Sequence, residues 1–484
     1  MVSSSYTNAD FEWAKKAIER KIKLALSGID REDLSVTRIK RIEIETREIS
    51  LMNWLEQQSH AVKTYWANRD GTFAMAGIGR ILEISGYSCK TGYTGIFERI
   101  RSYLSFADKG VRLYGGTRFI LSNRHESLWK TFNTYSFIIP RFEMVFHNGR
   151  TIFACNFRKE RALVKEILYE LSLLSYNGND PLHTTVNREK TSRITPISRK
   201  DDPGYSVWER NVRETLSLLR PGQLEKVVLA RKTEFHFSML PDPMFFLKGL
   251  MKQQTGGYLF YFQPVCGVSF LGATPERLYR RLSDKIETEA LAGTRQRGKT
   301  SDEDAIIGNE LKTNPKDLQE HRCVSRTLEE RMRFLCKSVQ TLSREQIIKL
   351  ARIQHLRTQF CGILKDGIID AEIIASLHPS PAVAGYPRNE AIRRITDVER
   401  FDRGWYAGPV GWISYNSAEF AVAIRSCLVN NTKMFLYAGA GIVPGSDPHM
   451  EWQEIESKIA NFTVLMDMTQ PSWKPPEHRG IQEL

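Results

Sequence analysis

Residues 258–282 read Tyr258-Leu-Phe-Tyr-Phe-Gln-Pro-Val-Cys-Gly-Val-Ser-Phe-Leu-Gly-Ala-Thr-Pro-Glu-Arg-Leu-Tyr-Arg-Arg-Leu282. Aromatic and β-branched runs at Tyr258–Phe262, Val265–Ala273 and Arg277–Leu282 are broken only by Gln263-Pro264 and by Thr274-Pro275-Glu276. Runs this close leave no room for a crossover helix, so they read as hairpin-like antiparallel strands. Outward from this block, Lys226–Phe237 is a strand by its β-branched alternation, and strands recur at Val410–Ser414, Phe420–Val429 and Met434–Ala440. The spacing predicts helices over Tyr205–Leu219, Lys316–Leu335, Ser343–Leu350 and Pro448–Met466. Toward the N-terminus, β-like runs at Phe73–Leu82, Arg118–Leu121, Ser136–Phe146 and Thr151–Phe157 precede a helix near Arg161–Tyr176. Strands in groups and helices in blocks predict an α/β protein with α+β-like layering rather than a repeating βαβ unit. The polar stretch Asn177–Gly204 has the composition of a linker or exposed loop. It separates an N-terminal portion, residues 1–200, from a core, residues 201–470, with a tail at 471–484.

Bulk properties narrow the class. With 484 residues the chain exceeds the usual single core, so one large domain with an appendage or two domains both fit, and 41% hydrophobic with 26% charged residues is ordinary for a water-soluble globule. No apolar run nears the ~18 residues of a membrane span. Residues 9–27 read as a basic amphipathic helix, but Asp10, Glu12 and Glu19 argue against a transit peptide, so a cytosolic address is expected. The seven cysteines are scattered without a Cys-x-x-Cys pair, which points away from zinc and disulfide frameworks. A net charge of +13 suits either nucleic acid or small anions. Basic residues spread along the whole chain, without a tract or a recognition motif, argue against nucleic acid.

Several segments carry chemistry. Leu377–Pro387, Leu-His-Pro-Ser-Pro-Ala-Val-Ala-Gly-Tyr-Pro, has three prolines in eleven uncharged residues and must be a stiff loop. Its small residues, Ala382 among them, let a ligand approach the backbone. Lys226 shares a strand face with Leu224, Val228 and Ala230. It is either an edge lysine reaching solvent or a buried amine able to serve as a general base. Glu276 follows Pro275 in a turn, and is either exposed or a buried carboxyl able to donate a proton near neutrality. Val324, Leu328, Met332 and Leu335 form a helical stripe that, extended back one turn, lands on Glu320, which then needs a cationic partner. Asp447-Pro448 reads as a helix cap, with Glu451, Glu454 and Lys458 beside the stripe Ile455, Ile459, Phe462 and Met466. Before that cap, Gly439 and Gly441 lie in a glycine-rich approach whose backbone N–H groups suit an anion. On Phe420–Val429, Arg425 shares a face with Ala421, Ala423 and Cys427, space enough for a bidentate carboxylate receptor.

Together these segments resemble the chorismate-utilising enzymes over about residues 205–466, and most closely the isochorismate synthases of the menaquinone-pathway type. Leu51–Leu55 and Tyr65–Gly71 are similar to that type as well, and Ser380 stands where the usual loop has threonine. The resemblance implies one large domain of two antiparallel sheets flanked by helices, with the site between them. It implies Mg²⁺-dependent conversion of chorismate to isochorismate, with Lys226 activating water and Glu276 as general acid. Glu320 and Glu454, with Glu451 beside them, would hold the metal. His355, Ala382, Tyr406, Arg425, Gly439, Gly441 and Lys458 would contact substrate. The nearest rival is salicylate synthase, whose loop carries a threonine that Ala382-Val383-Ala384-Gly385 lacks. A nucleic-acid-binding or regulatory relative would lack catalytic residues, and none is missing. Chorismate is the expected partner, without nucleic acid or membrane, and a monomer is the working expectation.

Overall fold

The computed structural model describes residues 8–466 except 28–37, 48, 88–90, 122–126, 159, 161–162, 179–194, 254–255 and 350–352. The 471–484 tail therefore lies outside the described residues, as does most of the predicted linker. Two antiparallel sheets form, as expected. The first runs Ile39–Thr46, Arg150–Arg158, Phe142–His147, Phe73–Ile78, Lys63–Ala67, Tyr258–Val265, Val268–Thr274, Ser426–Asn430, Lys433–Ile442, Lys226–His236 and Gly385–Tyr386. The second runs Cys336–Lys349, Ile353–Leu364, Lys285–Gln296, Arg277–Leu282, Ser417–Val422, Pro409–Ile413, Leu113–Thr117, Tyr135–Ile139 and Leu82–Gly86. Both sheets draw strands from both halves of the chain, so the N-terminal residues are woven into the same core.

Helix Pro315–Leu335 begins at Asn314, whose side chain accepts from the Asp317 amide, and its stripe Val324, Leu328, Met332 and Leu335 is buried. Helix Pro448–Thr463 begins at Asp447, which accepts from the amides of His449 and Met450. Its Ile455 and Ile459 pack inward, and Glu456 on a flanking face binds Arg199 and the fully buried Arg231. That pairing seats the helix against the lysine strand.

Several expectations need correction. The helix expected over Ser343–Leu350 does not form in its described part: Cys336–Lys349 is an edge strand paired with Ile353–Leu364, and its residues alternate largely between exposed and half-buried. Period-two patterning there outweighs the helix-forming residues. Arg118–Leu121 lies just past strand Leu113–Thr117, and Pro140 divides Ser136–Phe146 into two strands. The helix near Arg161–Tyr176 is shorter, Val164–Ser172. Within Asn177–Gly204, Ser198–Asp202 is a strand pairing with the lysine strand.

Two further corrections create the site. Val268–Thr274 and Arg277–Leu282 are not hairpin partners, because the chain leaves the first sheet after Thr274 and enters the second at Arg277. Likewise Phe420–Val429 is two strands, Ser417–Val422 in the second sheet and Ser426–Asn430 in the first. Arg425 sits at that break with φ 52°, a left-handed conformation no sequence marker announced. The crossings lie side by side: the Val422 amide donates to the Glu276 carbonyl at 3.0 Å, and the Ala273 amide donates to the Arg425 carbonyl at 3.2 Å. Glu276 and Arg425 are thus brought together where two segments pass between the sheets.

Candidate active site

A cavity opens at this double crossing. Its walls include Glu276, Glu320, His355, Ala382, Tyr406, Arg425, Gly439, Glu454 and Lys458, so nine predicted site residues meet there. A wider mouth shares Arg425, Glu454 and Lys458 with it and adds Glu451 and Lys316.

Lys226 is 1% exposed, which decides for the buried alternative. Its Nζ donates to Glu320 Oε1 at 2.8 Å, so it sits behind the cavity wall. Space for this pair comes from the facing strand: a Cβ on Gly441 would lie 2.8 Å from Glu320 Oε1 and 2.9 Å from Lys226 Cε. Gly385, with φ 130°, fits against the Lys226 carbonyl, where a Cβ would come within 2.1 Å.

Gly439 and Gly441 are strand residues opposite Ala230 and Val228, because the predicted strand Met434–Ala440 runs on to Ile442. The Val228 amide donates to Ala384 O and the Ala230 amide to Glu399 Oε1, so both point away from the glycine strand. In an antiparallel ladder the facing residues then point outward too. Gly439 O accepts from Lys458 Nζ at 2.8 Å on that outer side. The two glycine N–H groups therefore point out from a strand edge, and of the two residues Gly439 lines the cavity while Gly441 does not.

Glu276 is 5% exposed, and burial first, then Glu289, pushes its carboxyl from 4.5 up to about 8. The Ser380 hydroxyl donates to Glu276 Oε1 at 3.4 Å, so the hydroxyl of the proline-rich loop has a direct role in the acid's surroundings. That loop is fixed by Arg403, which donates to Val383 O at 2.9 Å and to Val228 O at 2.7 Å.

His355 Nδ1 lies 3.0 Å from Thr294 Oγ1 and 3.2 Å from the Gly293 carbonyl, while buried Nε2 has no partner among the described residues. Burial, with Arg425 second, lowers its pKa to about 3, so the ring is neutral. A carbonyl beside Nδ1 requires the proton there, which leaves Nε2 as an acceptor for a ligand hydroxyl. Arg425 is 7% exposed and among the described residues spends only one weak bond, Nη1 to Lys458 O at 3.3 Å. Burial lowers its pKa to about 10, which leaves a desolvated cation. Tyr406 is buried and stacks on Tyr437, another wall residue.

The three predicted metal carboxylates each hold a lysine here. Glu320 pairs with Lys226, Glu451 with Lys316 at 2.9 Å, and Glu454 with Lys458 at 2.6 Å. Among the described residues no group of three His, Cys, Asp or Glu side chains forms a ready metal cage. Burial alone would raise the Glu454 carboxyl, but the Lys458 ammonium outweighs it and leaves the group below its usual range. Burial and the neighbouring Glu454 raise Glu451. Burial would lower the Lys316 amine, yet Glu451, Glu320 and Glu454 together lift it. Three carboxylates thus act on one ammonium, and the sequence reading missed Lys316. Its spacing was a usable signal, since it stands one helical turn before Glu320. Thr294 and Leu291 on the wall carried no signal beyond strand content.

Comparison with known proteins gives a consistent set. The family profile described as chorismate binding enzyme matches residues 25–466. The chloroplastic isochorismate synthase of Catharanthus roseus is 33% identical over 381 residues, 78% of this chain and 65% of that protein. The chain thus spans slightly less than two thirds of that plant relative. Isochorismate synthase MenF of Haemophilus influenzae is 29% identical over 437 residues, 89% of this chain and 92% of that protein. The solved structure of MenF, the menaquinone-specific isochorismate synthase from Escherichia coli, superposes with a TM-score of 0.80 at 26% identity, covering 94% of this chain and 99% of that one.

Proposed function

The chain belongs to the chorismate-binding enzyme family, and from that premise we propose that it converts chorismate to isochorismate. The observation that carries this reading is one cavity joining a buried carboxyl that titrates near 8 to the surroundings of a buried lysine and an underused, desolvated arginine. An acid still protonated near neutrality and an amine are the pair that a displacement of hydroxide by water requires.

In this reading Lys226 Nζ takes a proton from a water whose oxygen bonds to the ring. Both ring double bonds shift by one position, the C–O bond to the departing hydroxyl breaks, and the Glu276 carboxyl protonates the leaving oxygen. One water enters and one leaves, so the product is an isomer. Nζ can accept a proton only as the neutral amine, so the proton it shares with Glu320 has to leave it before the water is deprotonated. Arg425 would clamp a carboxylate in bidentate fashion, with the Gly439 and Gly441 N–H groups beside it. His355 Nε2 would accept from a ring hydroxyl, and Tyr406 and Ala382 would pack on the ring.

Magnesium fits this donor set, because hard carboxylate oxygens suit an ion that retains waters, and the three lysine pairs mark a region that takes up cationic charge. Glu320 and Glu454, with Glu451 beside them, would hold it. When bound, it would supply charge to neutralise the substrate's ring carboxylate.

Incubating the purified protein with chorismate and Mg²⁺ and separating the products tests the proposal. Isochorismate in reversible balance with chorismate is expected. Salicylate and pyruvate appearing as fast as chorismate disappears would replace this reading with salicylate synthase, and absence of turnover would overturn both. The relatives include a menaquinone-specific isochorismate synthase and one of salicylate biosynthesis, and feeding a quinone route is the pathway we propose. A cytosolic address is proposed on Asp10, Glu12 and Glu19 in the N-terminal helix; organellar import of a fluorescent fusion would overturn it.

A further inference from the structure

The turn that carries Glu276 is gripped on both sides by a single ion pair reaching in from the N-terminal half. Arg69 follows strand Lys63–Ala67, which pairs with Tyr258–Val265. Its guanidinium meets Glu289 fork to fork, Nη1 to Oε1 at 2.6 Å and Nη2 to Oε2 at 2.5 Å. The same Nη1 donates to the carbonyl of Pro275 at 3.4 Å. The same Oε1 accepts the backbone N–H of Arg277 at 3.2 Å. Pro275 and Arg277 are the two chain neighbours of Glu276, so each flanking peptide is tied to one end of the pair. Both side chains are withdrawn from solvent, 11% and 1% exposed. The guanidinium also lies 5.5 Å from the Tyr258 ring, and the Tyr258 hydroxyl accepts from Arg277 Nε at 2.7 Å.

A buried ion pair is weak evidence for stability as such, since apolar replacements often serve as well. Its bonding to the two peptides around one carboxyl is a different matter. We propose that Arg69 and Glu289 form a positioning clamp for Glu276, fixing the direction of its carboxyl and keeping an anion close to it. This rests on the reading of Glu276 as the general acid. It gives the N-terminal half a part in the chemistry, although none of its described residues lines the cavity. Glu289 also acts on the charge of Glu276, which otherwise faces Lys226, Lys458, Tyr406, Glu320 and the Ser380 hydroxyl.

The test measures kcat, KM and the pH dependence of kcat/KM for Arg69→Ala, Arg69→Lys and Glu289→Gln at saturating Mg²⁺, with Glu276→Gln as reference. Glu289→Gln keeps the shape but removes the neighbouring anion, so the basic limb, where Glu276 loses its proton, should move to lower pH. Arg69→Ala should lose about a hundredfold in kcat, the scale of a misplaced catalytic group, with KM changed less than about threefold. Arg69→Lys keeps the charge without the fork and should fall between the two. If Arg69→Ala does not fold, Glu289→Gln and Arg69→Lys suffice to decide. An unshifted basic limb in Glu289→Gln, together with wild-type kcat per folded molecule in Arg69→Lys, overturns the clamp alone. A wild-type protein inert to chorismate, or a fully active Glu276→Gln, removes the underlying reading and the clamp with it.

Discussion

Replacing Glu276 by glutamine should make the protein more stable at pH 9 and nearly unchanged at pH 5. Burial, with Glu289 second, lifts this carboxyl from 4.5 to about 8 in the fold. A group whose folded pKa is raised contributes stability that is fully present below the unfolded value and lost as pH rises through the folded one. The window is therefore pH 4.5 to about 8. Glutamine has the carboxyl's shape and no proton to lose, so the variant escapes that loss. At about 1.4 kcal/mol per pH unit the gap is worth roughly 5 kcal/mol as a ceiling, and relaxation around the charge reduces it. Unfolding entropy of about 2.1 cal/mol/K per residue over 484 residues makes about 1 kcal/mol equal to one degree. Tm should rise by about 2–5 °C at pH 9 and by under about 1 °C at pH 5. Thermal unfolding of the ligand-free protein at the two pH values measures this. Turnover should fall by about 10²–10⁴-fold in the same variant, the share of a general acid. Equal Tm differences at both pH values, or a variant less stable at pH 9, would refute a buried, destabilised carboxyl.

Other outcomes follow from the same geometry. Lys226→Gln should cost about 10²–10⁴-fold in isochorismate formation, and a variant with wild-type turnover would place the base elsewhere. Mg²⁺ should raise the Tm of the wild type but not of Glu320→Gln or Glu454→Gln, and full activity in EDTA would contradict metal dependence. Ser380→Ala removes a hydrogen bond that favours ionised Glu276, so the basic limb of kcat/KM should move to higher pH, a shift readable in a pH–rate profile.

The helices that carry the site were legible because their signals are local. The buried stripe of Pro315–Leu335 and the Asp447-Pro448 cap need only neighbouring residues to be recognised. Lys226, Glu276 and Glu320 were legible as residues with two meanings each, and burial chose between them. Ser343–Leu350 was misread as a helix because Arg344, Glu345, Gln346 and Lys349 are good helix formers, whereas pairing of Cys336–Lys349 with Ile353–Leu364 imposes the period of two. The break at Arg425 was invisible because no glycine or proline marks its left-handed backbone.

Local sequence was enough to specify most elements around the site and the residue types that reach it: a lysine strand, a proline-stiffened loop, and two helices with carboxylates beside their apolar faces. What those residues do to one another came from tertiary contacts. Glu276 and Arg425 become neighbours because two chain segments change sheets at the same place. Arg69 reaches Glu289 across 220 residues of chain. The raised pKa of Glu276, the neutral ring of His355 and the lysine held by Glu320 all follow from burial and charge proximity. Those depend on contacts between distant segments, which local propensity and periodicity do not encode.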